Sequence, residues 1–127
     1  MKTILVDAAG TFVIEGQGIY QPLYELLESY PNRKIIVSNA NDEQLIEYGI
    51  VNMPYEVFTL KHNPNKDNPE YFKTLLNHFS LTANDVIYFE HSQAAVDSAK
   101  SLGIPSHFYD SEKKDLESLK SFIYQNL

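Results

Sequence analysis

The chain has 127 residues, 10 basic against 17 acidic for a net charge of −7, 43% hydrophobic residues and no cysteine. That length suits a single domain over residues 1–127, and the cysteine count excludes disulfides, thiolate metal sites and thiol chemistry. The acidity, with Arg33 the only arginine, argues against a nucleic-acid partner and against an anionic membrane surface.

Thr3–Val6 reads as the first strand, a continuous apolar run of the kind buried on both faces of a parallel sheet. Tyr20, Leu23, Tyr24 and Leu27 then fall at i, i+3, i+4 and i+7, the stripe of an amphipathic helix. Lys34–Val37 is the second strand and Glu56–Leu60 the third, with a helical stretch before Gly49 between them. His62–Pro69, with its asparagines and prolines, is a loop. Pro69 is suited to a helix start, and Phe72, Leu75, Leu76 and Phe79 repeat the helical spacing after it. Val86–Phe89 is the fourth strand. Val96, Ala99 and Gly103 mark a helix with a small-residue face, Ser106–Tyr109 is the fifth strand, and Leu116, Leu119, Phe122 and Ile123 lie along one side of a last helix. Glu112–Glu117 reads as a solvated helix face. No apolar stretch approaches the ~20 residues of a membrane helix. No secretory signal follows Met1–Lys2, so a cytoplasmic protein is expected.

Strands alternating with helices predict a three-layer α/β/α sandwich around a five-stranded parallel sheet with right-handed crossovers. In such sheets ligands bind beyond the carboxyl ends of the central strands. The residues there are Asp7-Ala8-Ala9-Gly10-Thr11, Ser38-Asn39, Lys61–Lys66, with Lys66 ahead of Pro69–Phe72, and Glu90-His91-Ser92. This four-part series resembles the haloacid dehalogenase (HAD) superfamily, mostly phosphatases, over about Thr3 to Tyr109. The resemblance implies a Rossmann-like sheet of strand order 5-4-1-2-3 without a cap domain. It places Asp7 as a carboxylate nucleophile and Lys66 as the cation that neutralises the transferring group. Gly10, Thr11, Ser38 and Asn39 would hold phosphate, and a weakly held Mg2+ would lie among Asp7, the Ala9 carbonyl, Glu90 and His91.

Two positions depart from the family pattern. Ala9 stands where the phosphatases carry an acid/base aspartate, and His91 where a direct Mg2+ ligand is usual. Imidazole suits later transition metals better than hard Mg2+, so His91 is either such a ligand or a hydrogen-bonded loop histidine. Phosphonoacetaldehyde hydrolases look similar at Asp-x-Ala-Gly-Thr but rely on a cap lysine, and no lysine lies between Thr11 and Lys34. Ser38-Asn39 reads equally as a helix cap or a phosphate binder, and Asn41-Asp42 is an alternative cap. His62, His78 and His107 show no metal-cluster spacing. Two functions are compatible with these residues. One is a phosphatase-related domain with weak or lost phosphoryl transfer, acting on a phosphorylated substrate or anion. The other is a non-catalytic phosphate- or protein-binding module on the same fold.

Overall fold

A computed structural model describes residues 1–127. Five strands pair in parallel: β1 (Thr3–Asp7), β4 (Lys34–Ser38), β5 (Glu56–Thr59), β6 (Val86–Glu90) and β7 (Ser106–Phe108). Their order across the sheet is β5-β4-β1-β6-β7, the order that the resemblance implies. Helices α1 (Gln21–Glu28), α2 (Asp42–Glu47), α3 (Pro69–His78), α4 (Gln93–Lys100) and α5 (Leu116–Asn126) connect and cover them. Between β1 and β4 the chain holds only α1 and a two-stranded hairpin, β2 (Val13–Ile14) with β3 (Gly18–Ile19), so no cap is inserted there. No helix is long and apolar enough to cross a membrane.

Strand alternation divides the core between the two faces of the sheet. Ile4, Val6, Ile36, Ile87 and Phe89 pack with Leu23 and Leu27 of α1 and with Leu119 and Ile123 of α5. Leu5, Ile35, Val37, Val86 and Tyr88 face the other way, against Tyr71, Phe72 and Leu75 of α3 and Ala99 of α4. Both faces are buried, which is why these strands read as unbroken apolar runs.

Three strands run one residue further than predicted, and in each case the extra residue is polar: Asp7, Ser38 and Glu90. Gly103 lies beyond α4 in the left-handed region at φ +83°, the stop expected of a glycine that follows a helical stretch. Glu112–Asp115 precede α5 instead of belonging to it, and the Asp115 carboxylate caps the helix by accepting from the Ser118 N–H at 3.0 Å. Asn41, not Ser38-Asn39, caps α2, with Gln44 completing a reciprocal capping box. Ser38 and Asn39 are thereby left to the end of the sheet.

Candidate functional site at the carboxyl end of the sheet

Parallel register sets Asp7 beside Val37 and Val6 beside Phe89, so the carboxyl ends of β1, β4 and β6 finish together. A cavity of about 390 Å³ opens at this end, lined by Asp7, Ala9, Ser38, Lys66, Glu90 and His91 among others. Asn39 also lines it, whereas Gly10 and Thr11 do not. The Gly10 N–H donates to the Val13 carbonyl at 2.9 Å and the Thr11 N–H to Ala8 at 3.2 Å. Those two groups close the turn after β1 instead of facing the cavity.

Lys66 reaches the site from the loop between β5 and α3. Its N–H donates to Asn39 Oδ1 at 2.7 Å, which ties that loop to the end of β4. Its ammonium then lies 2.7 Å from both Asp7 Oδ1 and Glu90 Oε1. On the far side of Asp7, Oδ2 accepts from the Thr11 hydroxyl at 2.6 Å and is hydrogen-bonded to His91 Nδ1. Glu90 Oε1 also accepts from the Tyr88 hydroxyl, and Oε2 from the Ser92 N–H at 3.2 Å. His91 Nδ1 lies 3.4 Å from that second Glu90 oxygen. Every carboxylate oxygen of the pair therefore has a partner within the chain.

Burial sets the electrostatics. Asp7 and Glu90 are each 1% exposed and Lys66 is 6% exposed. Burial alone would push Asp7 up, but the Lys66 charge and the His91 hydrogen bond outweigh it and hold the carboxyl well below the usual range. Burial would likewise lower Lys66, yet the charges of Asp7 and Glu90 raise it above the ordinary lysine value. Hydrogen bonds to Asp7 and Glu90 push His91 up to about 10. At neutral pH the Asp7 carboxylate thus faces two cations, Lys66 and His91.

Two tyrosines outside the four motifs support this arrangement. Tyr71 of α3 donates to the Ser38 carbonyl at 2.8 Å and accepts from the Ser38 N–H at 3.2 Å, fixing the end of β4. Tyr88 lies two residues before Glu90 on one face of β6, which is why its hydroxyl meets that carboxylate. The signal was readable: a hydroxyl within a buried apolar strand needs a partner, and parity pointed to Glu90. His62 belongs to the Lys61–Lys66 stretch expected beyond the carboxyl end of the sheet. It lines the cavity mouth from a left-handed backbone at φ +66°, bonding Asn65 Oδ1 at 2.8 Å and Gln44 Oε1. Of the other histidines, His78 and His107 lie outside the cavity lining.

A HAD-family enzyme from Bacteroides thetaiotaomicron, solved as an aspartate-to-alanine mutant in complex with magnesium and inorganic phosphate, superposes with a TM-score of 0.63. It is 13% identical, over 85% of this chain and 93% of that one. The chain has a HAD-like fold. The core domain of a Streptococcus pneumoniae protein provisionally named a phosphoglycolate phosphatase shares this HAD-like architecture at TM-score 0.57 and 16% identity, over 83% of this chain and 77% of that one. An uncharacterized protein from Corynebacterium glutamicum matches at 0.60 and 17% identity, over 96% and 95% of the two chains. No family model matches the chain, and neither does any curated protein.

Proposed function

We propose that this chain is a phosphatase-related domain, one unit over residues 1–127, whose phosphoryl transfer is weak or lost. In this reading Asp7 keeps the nucleophile position and Lys66 the charge-neutralising one. Ser38 and Asn39 form the phosphate-binding edge, while Gly10 and Thr11 close the turn beside it with their N–H groups spent within the chain. The observation that carries the reading is the state of Asp7. Both of its oxygens are engaged by Lys66, Thr11 and His91, and the neighbouring Ala9 on the cavity wall offers no proton to a leaving group. Both oxygens of Asp7 would have to give up hydrogen bonds for one to attack, and lost general acid help alone costs about 10²–10⁴-fold.

Mg2+ fits this donor set poorly. It demands near-octahedral oxygen ligation, whereas the group that converges here is Asp7, Glu90 and the imidazole of His91. The Ala9 carbonyl would be the remaining oxygen ligand, and weak affinity is the expectation. When bound, the ion would supply charge neutralisation beside Asp7.

Hydrolysis of an unhindered aryl phosphate, with and without Mg2+, tests the reading. Turnover is expected near background and unchanged in Asp7→Asn. Groups that act as one catalytic unit are strongly non-additive. Ala9→Asp and His91→Asp should therefore each do little, while the double variant gains activity that disappears when Asp7→Asn is added. Substantial Asp7-dependent turnover by the wild type would overturn the loss of activity. Inactivity of the wild type together with retained phosphate binding would favour the non-catalytic module, which the same closed network around Asp7 also supports.

A further inference from the structure

The two buried carboxylates are bridged twice, once from each side. Lys66 joins Asp7 Oδ1 to Glu90 Oε1 at 2.7 Å each. The remaining oxygens, Asp7 Oδ2 and Glu90 Oε2, converge on a single ring nitrogen, His91 Nδ1. An ion coordinated by both carboxylates would have to lie between those same two oxygens, since the other two are taken by the ammonium. The imidazole already stands there.

The ring is built into that place. His91 follows Glu90 at the very end of β6, and its own N–H points back to Asp7 Oδ2 at 3.4 Å. A Cβ at position 10 would come within 3.0 Å of Cε1 and 3.1 Å of Nε2, so the bare backbone of Gly10 forms the surface on which the ring rests. Gly10 also sits at φ +87°, where a side chain would be strained. The Thr11 hydroxyl lies 3.3 Å from the same Nδ1. One glycine thus satisfies the turn and the ring together. All the ring's hydrogen bonds to the chain run through Nδ1, and Nε2 has no partner in the chain.

We propose that the imidazole of His91 fills the position between Asp7 Oδ2 and Glu90 Oε2 that a divalent ion would take. The pocket consequently binds phosphate or a phosphate ester without metal. The second statement rests on the phosphate-site reading above, while the first stands on the geometry of His91.

The test uses the full chain and two probes. Mn2+ binding, followed by electron paramagnetic resonance and calorimetry, reports on the cation position. Binding of inorganic phosphate, followed by calorimetry in EDTA and again in millimolar Mg2+, reports on the anion. The wild type is expected to show no submillimolar Mn2+ site and the same phosphate affinity in both conditions. His91→Asp should bind Mn2+ at least about tenfold tighter, the scale on which metal-site side chains act, and its phosphate binding should become metal-dependent. Submillimolar Mn2+ binding by the wild type overturns the proposal, as does tight Zn2+ binding lost in His91→Ala. Phosphate binding that appears only with metal overturns it too. A folded His91→Asp that gains no Mn2+ affinity does the same. If phosphate fails to bind in either condition while the Mn2+ results come out as expected, the phosphate-site reading falls and the cation replacement stands. Should His91→Asp not fold, the wild-type measurements still decide.

Discussion

Lys34 and Lys66 are both buried, 8% and 6% exposed, at opposite ends of the same sheet. At the amino end of β4, Lys34 donates to the Tyr30 carbonyl and lies 5.7 Å from the Tyr55 ring centroid. Burial pulls it below the ordinary lysine value, against a smaller opposing pull from Glu28. At the carboxyl end, Lys66 faces two carboxylates at contact distance and is shifted the other way. Similar residue exposure has opposite consequences because Lys34 meets a carbonyl dipole in a part-buried contact, whereas the buried Lys66 ammonium meets counter-charges. One end of the sheet buries a lysine as packing. The other uses a lysine to hold two acids together.

The sharpest way to break this contrast is Lys66→Met. Removing one partner of a buried pair typically costs about 3–5 kcal/mol, and here it strands two carboxylates, so urea unfolding should show a loss in that range. A stable Lys66→Met protein would mean that the acids are wetter or more readily protonated than the geometry implies. Tyr88→Phe should cost less, about 1.5–3 kcal/mol for a lost hydrogen bond to a charged group. Because Glu90 keeps Lys66, the protein should stay folded. A loss as large as that of Lys66→Met would make Tyr88 an equal partner in the network.

A pH series sharpens the role of the second cation. His91 is raised from 6.5 to about 10, so its stabilisation is complete below the unfolded value and disappears as pH rises through about 10. Stability should therefore fall in the alkaline range for the wild type and fall less in His91→Gln. His91 is 37% exposed at its side chain, so solvent screening keeps this effect below that of Lys66→Met. Parallel alkaline curves for the two proteins would show that the ring is not charged. The smallest effect belongs to Lys34→Met, expected within about 1 kcal/mol of wild type, since losing the ammonium–carbonyl hydrogen bond is offset by relief of the cost of burying the charge. A larger loss would indicate that the Tyr30 carbonyl has no other way to be satisfied.

The alternation of apolar strands and helical stripes was sufficient to specify the layers, because a strand buried on both faces must be apolar throughout. Asp7, Ser38, Lys66 and Glu90 could be picked out from one chain because each follows or ends such a run, or stands just ahead of a helix start. Parallel pairing then requires the strand ends to meet. The hairpin Val13–Ile19 escaped notice, since two-residue strands carry no periodicity of their own. Whether Ser38-Asn39 or Asn41 caps α2 was also undecidable from residue types, as all of them can accept from a helix amide.

By itself, then, the sequence determined the class of fold, the end of the sheet where chemistry would gather and the residues standing there. Only the tertiary structure decided what they do to one another. That Lys66 spans two acids, that Thr11 turns inward, and that His91 lies against Gly10 between two carboxylate oxygens all depend on contacts across 4 to 84 positions in the chain. Local propensity acts over a few residues, whereas the charge state of a buried group is set by whichever neighbours the packed fold brings within a few ångströms.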